Sequence, residues 1–190
     1  SEQTIAGYRD VLSVIHTRHG DIELSSGVVR QFHRDLLKYT SSRGGEWKSV
    51  DNDIIEKHPD GREVVRFETA EPHRTPEYMK TLHDRFDRLW TEEEVDPLLL
   101  IATYVLDFLC IHPFRDGNGR MARLLTLLLL YKADYGVGQY ISLEKLVEDS
   151  RESYNEALYR SSQGWHEARH DQNRRKGTCC HVAKAWRIKA

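Results

Sequence analysis

The sequence predicts a mainly α-helical fold, a bundle of helices around two that are apolar nearly all round, interrupted by a single β-hairpin. Three observations carry this. Apolar residues recur at helical intervals through most of the chain, as at Val29, Phe32, Leu36 and Leu37. Two stretches, 98–110 and 124–131, are apolar on nearly every side, which places them at the centre of a bundle. From Trp47 to Phe67 the helical period is lost, and β-branched Val50, Ile54, Ile55, Val64 and Val65 flank His58-Pro59-Asp60-Gly61, a strong turn signal.

Taken in order, the first helix shows Ile5, Tyr8, Leu12 and Ile15 at helical spacing, with Gly20 as its stop. Ser25 or Ser26 caps a second helix that ends at Ser41-Ser42-Arg43-Gly44-Gly45. The hairpin follows, at about 47–67. Thr75-Pro76-Glu77 then reads as a capping hydroxyl with Pro at the first helical position, opening a helix whose apolar face is Met79, Leu82, Phe86, Leu89 and Trp90. Asp96-Pro97 repeats that signal before the first central helix, which delivers His112 to the rim of the bundle. The second central helix leaves the same loop at Leu124 and ends at Gly136 to Gly138. Ser142 caps a last helix running to about Gly164.

Composition sets outer limits. With 190 residues the chain makes one domain with a substantial core. Charged residues at 31% and a net charge of −2 point to a soluble globular protein and give no overall basic balance for nucleic acid. The apolar runs fall short of the ~20 residues a membrane span requires, and no signal-peptide pattern opens the chain. Three cysteines, Cys179 and Cys180 adjacent, make no disulfide framework, so the expected setting is reducing and cytoplasmic.

The chemistry concentrates in His112-Pro113-Phe114-Arg115-Asp116-Gly117-Asn118-Gly119-Arg120-Met121-Ala122-Arg123. His112 has the side chain whose ordinary pKa lies near neutrality, as a general base requires. Gly117 and Gly119 permit left-handed backbone and close approach, so N–H groups can converge on an anion at a helix N-terminus. Arg120 and Arg123, three apart, present planar forks on one face to phosphate oxygens. Asp116 is a hard ligand suited to Mg²⁺, which favours a carboxylate or two together with phosphate oxygens. Each feature alone is ordinary; their meeting in one turn predicts a phosphate site.

This run resembles the signature of the Fic family, H-x-F-x-[DE]-G-N-G-R-x-x-R, with every specified position filled. The resemblance extends more loosely from about Ile5 to about Asp171. It implies a Fic-like helical bundle with a hairpin flap, a Fic domain at 1–171 with its catalytic loop at 112–123, and a basic tail of unknown role at 172–190. It also implies a Mg²⁺-dependent protein adenylyltransferase that moves AMP from ATP to a Ser, Thr or Tyr hydroxyl of a target protein. By the same resemblance, His112 is the base and Asp116 holds Mg²⁺ between the α- and β-phosphates. Backbone N–H groups around Gly117, Asn118 and Gly119, with the Asn118 side chain, steady the phosphates. Arg120 serves the β-phosphate and Arg123 the γ-phosphate, Tyr154 is a candidate adenine wall, and Phe114 anchors the loop in the core. The flap would hold the target by strand addition, which registers an extended peptide through main-chain hydrogen bonds, and self-modification is a further expectation. Related reactions in the family, removal of AMP or transfer of another phosphate-linked group, use nearly the same motif.

Many Fic proteins carry an inhibitory helix, [ST]-x-x-x-E-[GN], whose glutamate pairs with the second arginine of the signature. No glutamate here precedes Gly or Asn, and Ser42 to Glu46 is followed by Trp47 in a glycine-rich turn. The expectation is that any inhibitory element lies upstream or comes from a partner, leaving Arg123 free. A rival of another class is His166-Glu167-Ala168-Arg169-His170, which fits the H-E-x-x-H pattern of zinc peptidases. It lacks an apolar stripe to bury its helix and a third ligand, so a solvated helix end is the favoured reading. An inactive nucleotide-binding module is the other alternative, against which the intact motif argues.

Overall fold

The computed structural model describes residues 2–57, 60–93 and 95–165; the His166–His170 pattern and the basic tail lie outside them. The described chain is a helical bundle with one two-stranded antiparallel sheet. No described helix is long and apolar enough to cross a membrane.

Helix α1, Glu2–Arg18, packs against α2, Ser26–Leu37. Its buried stripe is Gly7, Val11 and Ile15, and Ile5, expected on the apolar face, is 61% exposed. Close helix contact explains the rotation: a Cβ on Gly7 would lie 2.2 Å from the Leu36 carbonyl oxygen, so the two backbones meet where only glycine fits. Ser25 caps α2, its hydroxyl accepting from the Val28 N–H, and α2 buries Val29, Phe32, His33, Leu36 and Leu37.

Strands β1, Ile54–Lys57, and β2, Glu63–Phe67, pair Ile55 with Val65 and Glu56 with Val64, with a bulge between Ile54 and Ile55. The hairpin is therefore shorter than its expected span, because residues 47–53 do not pair as a strand. Its second strand reaches α7, Arg151–Ser162, where the Arg66 guanidinium sits over the Tyr159 ring.

Helix α3, Thr75–Glu92, starts differently from the sequence reading. A 3-10 turn, Pro72–Arg74, feeds straight into it, and the Thr75 hydroxyl donates back to the Glu71 carbonyl instead of capping. The expected cap does hold for α4, Pro97–Ile111: Asp96 accepts from the N–H groups of Leu98 and Leu99. Helix α5, Asn118–Lys132, ends at Ala133 with Asp134 left-handed, a few residues before the glycines expected to stop it. The final predicted helix is two, α6 (Leu143–Asp149) and α7. Ser150 separates them, its hydroxyl donating to the Leu146 carbonyl and its own carbonyl accepting from Tyr154.

Helices α4 and α5 form the centre. Leu124, Leu125, Leu128 and Leu129 are fully inaccessible, as are Phe108 and Phe114. A leucine buried to that degree contributes about 1.5–3 kcal/mol, and its truncation to Ala costs roughly 2–5 kcal/mol. The loop between these helices, 112–117, is thus mounted on two buried, close-packed helices, a rigid support for a site.

Candidate active site

His112 closes α4 in the left-handed region, at φ 52° and ψ 58°, its N–H donating to the Phe108 carbonyl. A non-glycine residue held there carries strain of about 1 kcal/mol, so other contacts must over-determine it. Its ring is 3.2 Å from the Leu109 carbonyl through Nδ1. A carbonyl can only accept, so Nδ1 carries the proton and Nε2 keeps its lone pair for a substrate. Burial depresses the imidazole pKa, helped by the Lys48 charge and opposed by the Leu109 hydrogen bond and Asp116. The ring is neutral at neutral pH, the state a base needs.

Beyond it the chain turns through Gly117, at φ 84°, into α5. Gly117 needs glycine both for that backbone and because Leu36 and His33 crowd the place of a Cβ. Gly119, expected to be left-handed too, is an ordinary helical residue; a Cβ there would touch only the Arg123 guanidinium at 3.8 Å. What it offers is a bare backbone beside the helix terminus. No side chain caps α5, so the N–H groups of Asn118, Gly119 and Arg120 stand at its end, where the helix dipole attracts anions.

The Asn118 side chain does not face a ligand. It is buried, its Oδ1 accepting from the Phe114 N–H at 2.9 Å and its Nδ2 donating to the Phe114 carbonyl at 2.6 Å. Both polar ends are spent on closing the loop, which corrects the expectation that this amide steadies phosphate; its backbone N–H remains at the helix end. Phe114 anchors the loop as expected, stacked on the His33 ring at 3.7 Å between centroids and beside Trp47.

Asp116 lies exposed at the rim, Oδ1 accepting from the Gly117 N–H and Oδ2 from Arg120 Nη2 at 2.9 Å. The carboxylate is thus oriented yet accessible. Among the described residues no three His, Cys, Asp or Glu side chains gather as a metal cage. A single hard, accessible carboxylate beside an anion-binding helix end fits Mg²⁺ held jointly with phosphate oxygens.

Arg123 is half-buried one turn into α5, and its Nε is buried without a hydrogen-bond partner. Tyr8, Glu144 and Tyr154 lie near enough for its charge to act on each. The Tyr8 hydroxyl donates to Glu144 Oε1, and burial followed by that carboxylate raises the Tyr8 pKa. Burial raises the pKa of Tyr154, opposed by the Arg123 charge. Three helices, α1, α6 and α7, therefore converge on Arg123.

Two groups of supporting residues carry no sequence motif. His33, on the buried face of α2, accepts the Gly45 N–H at Nδ1 (2.9 Å) and donates from Nε2 to the Asp116 carbonyl (3.0 Å). Those partners fix the neutral tautomer, and burial lowers its pKa. Gly44 allows that approach: a Cβ there would lie 2.7 Å from the His33 carbonyl oxygen. Lys48 and Asn52, just before β1, contact the loop through the carbonyls of Ile111, His112 and Phe114. The only clues in the sequence were a histidine on an apolar helix face and a glycine pair that read as a helix stop.

The arrangement is an imidazole with one ring nitrogen hydrogen-bonded, a rim carboxylate and a helix N-terminus with two arginines, on one loop and the first turns of α5. Known proteins share both its sequence and its fold. The Fic/DOC family pattern matches residues 23–130. The chain is 26% identical over 123 residues to a protein named ribonucleoside-diphosphate reductase small chain from Ostreid herpesvirus 1, covering 62% of this chain and 21% of that one. It is 34% identical over 76 residues to protein adenylyltransferase fic-1 of Caenorhabditis elegans, covering 38% of this chain and 14% of that one. The chain thus spans under a quarter of either relative. A Fic domain containing signaling protein from Bacteroides thetaiotaomicron superposes with a TM-score of 0.70 at 23% identity, over 96% of this chain and 70% of its own. The helical bundle, the 112–123 run within the matched segment and the shared fold agree, and the chain belongs to the Fic/DOC family.

Proposed function

We propose that the chain is a protein adenylyltransferase, transferring AMP from ATP to a Ser, Thr or Tyr hydroxyl of a target protein. The observation that carries this reading is the His112 ring, its pKa lowered by burial and its Nδ1 engaged by Leu109, on the loop that leads into the uncapped N-terminus of α5.

The target hydroxyl attacks the α-phosphorus of ATP. A new O–P bond forms, the bond from the α-phosphorus to the bridging oxygen breaks, and pyrophosphate leaves with that electron pair. His112 Nε2 takes the hydroxyl proton as the attack proceeds, a role worth about 10²- to 10⁴-fold. The N–H groups at the start of α5 hold phosphate oxygens, and Arg120 and Arg123 bind the leaving β- and γ-phosphates. Tyr154 offers a ring on the Arg123 side for the adenine. Mg²⁺, when bound, would neutralise charge on the phosphates and strengthen pyrophosphate as a leaving group; Asp116 is the residue that would hold it.

The hairpin supports a target-docking role. Ile54, Ile55, Val64 and Val65 are all more than a third exposed, on a sheet of two strands, the arrangement that accepts an added strand. Self-modification follows if a segment of a second copy docks there.

The test is incubation of the chain with ATP labelled at the α-phosphate, Mg²⁺ and a cell lysate, with a chelator arm. Label should enter protein only with Mg²⁺ and only in the presence of His112. Transfer of γ-label instead, or release of AMP from modified protein, would assign the site to another reaction.

A further inference from the structure

Residues 48–53 and Thr69 tie the base of the hairpin to the back of the catalytic loop. The Lys48 ammonium donates to Asn52 Oδ1 at 2.8 Å, Thr69 Oγ1 at 2.9 Å and the Ile111 carbonyl at 3.1 Å. Its backbone N–H donates to the Pro113 carbonyl. Asn52 continues the line, its Nδ2 donating to the carbonyls of His112 (3.2 Å) and Phe114 (2.6 Å). Four consecutive carbonyls, from Ile111 to Phe114, thus accept from two residues.

The same residues fix the hairpin. Asn52 and Asp53 immediately precede β1 and Thr69 follows β2, and Asp53 Oδ1 accepts from the Thr69 N–H at 2.9 Å. The Thr69 hydroxyl donates toward Asn52 Oδ1, leaving its lone pairs for Lys48. We propose that Lys48 is the positioning residue of this site, its ammonium locking the left-handed backbone of His112 and the base of the hairpin into one rigid unit. This rests on the reading of His112 as the base; Lys48 touches no reacting atom.

The chemistry of the side chain supports the assignment. Its Nζ meets three acceptors, and an ammonium has three protons to give, so each is used. Lys48 is only 4% exposed, and the acceptors its Nζ meets are neutral oxygens. Burial lowers its pKa to about 8, opposed by the charges of Asp51 and Asp53. A surface lysine would bear no such cost, so the three bonds must outweigh it. The link also joins the element that would receive the target to the group that would deprotonate it, which is where a small displacement is most damaging.

The experiment replaces Lys48 with Met, which keeps the stem and removes the donors, and with Arg, which keeps the charge and N–H donors. AMP transfer should fall about 10²-fold in kcat for Lys48→Met with KM for ATP unchanged, and Lys48→Arg should recover most of it. In parallel, the His112 ring resonance is titrated by NMR. Its pKa should rise in Lys48→Met, where the neighbouring cation is gone, and stay near the wild-type value in Lys48→Arg. Thr69→Val, which keeps the lysine and breaks one of its bonds, should give a smaller fall of the same kind and serves if Lys48→Met does not fold. Unchanged kcat, or a His112 titration the same as wild type in Lys48→Met, overturns the proposal. A wild-type chain that transfers no AMP would refute the proposed activity, while a His112 titration unchanged in Lys48→Met would by itself overturn the role of Lys48.

Discussion

Replacing Asn118 with Ala removes an amide that makes two hydrogen bonds inside the protein, to the N–H and the carbonyl of the same residue, Phe114. The two losses are unequal. The Phe114 carbonyl keeps a bond from Asn52 Nδ2 at 2.6 Å, whereas the Phe114 N–H is left buried without a partner. One bond lost with its acceptor still served costs about 1 kcal/mol, and an orphaned buried N–H about 1–3 kcal/mol, so the substitution should destabilise by about 3 kcal/mol. For a chain of this length that is a fall of roughly 6–12 °C in Tm, read by thermal unfolding. Because the loop loses its closure, AMP transfer should fall with it, even at temperatures where the variant is fully folded. A direct phosphate ligand would behave otherwise: nucleotide affinity would drop with Tm unchanged, and that result would refute the assignment of the Asn118 amide to the loop.

Other substitutions separate the remaining roles. Gly119→Ala should fold normally and gain about 0.5–1 kcal/mol, since the position is helical with open space, yet it should weaken ATP binding measured by calorimetry by placing a methyl group beside the helix terminus. Gly117→Ala, at φ 84°, should instead lose stability by about 1–2 kcal/mol. Asp116→Ala should abolish the Mg²⁺-dependent part of ATP affinity while leaving the Mg²⁺-independent part, which calorimetry with and without chelator resolves. Acid should destabilise the fold. His33 and His112 have pKa values lowered by burial, and His83 is held down at about 4 for the same reason. The unfolded chain then binds more protons, so stability present above the unfolded histidine value of about 6.5 is lost progressively as pH falls below it. Urea midpoints measured downward from pH 7.5 should show this, with a shallower slope in His33→Gln; an unchanged slope would clear His33.

The parts legible in the sequence are those written in local pattern. Asp96-Pro97 and Ser142 are caps because a side-chain oxygen can reach N–H groups two or three residues away, and both do so here. The central helices needed only their apolar runs, and the catalytic loop its signature. What escaped depends on partners distant in the chain. His33 meets the Asp116 carbonyl across 83 positions, and Lys48 meets Ile111 across 63. Nothing near either residue announces those contacts. Asn118 was misassigned for a related reason: an amide at an uncapped helix start suits an anion as well as a backbone, and only the geometry of Phe114 decides between them. Thr75 had the composition of a cap, but the Pro72–Arg74 turn already leads the chain into helical conformation and leaves its hydroxyl facing back.

The central claim is that His112 moves a proton while other groups hold the nucleotide, and His112→Ala tests it most directly. ATP binding by calorimetry and transfer of α-phosphate label are measured on the same preparation with Mg²⁺ present. The account predicts ATP affinity equal to wild type and transfer reduced about 10²- to 10⁴-fold. Retained transfer, or loss of ATP binding in proportion to loss of transfer, would contradict it.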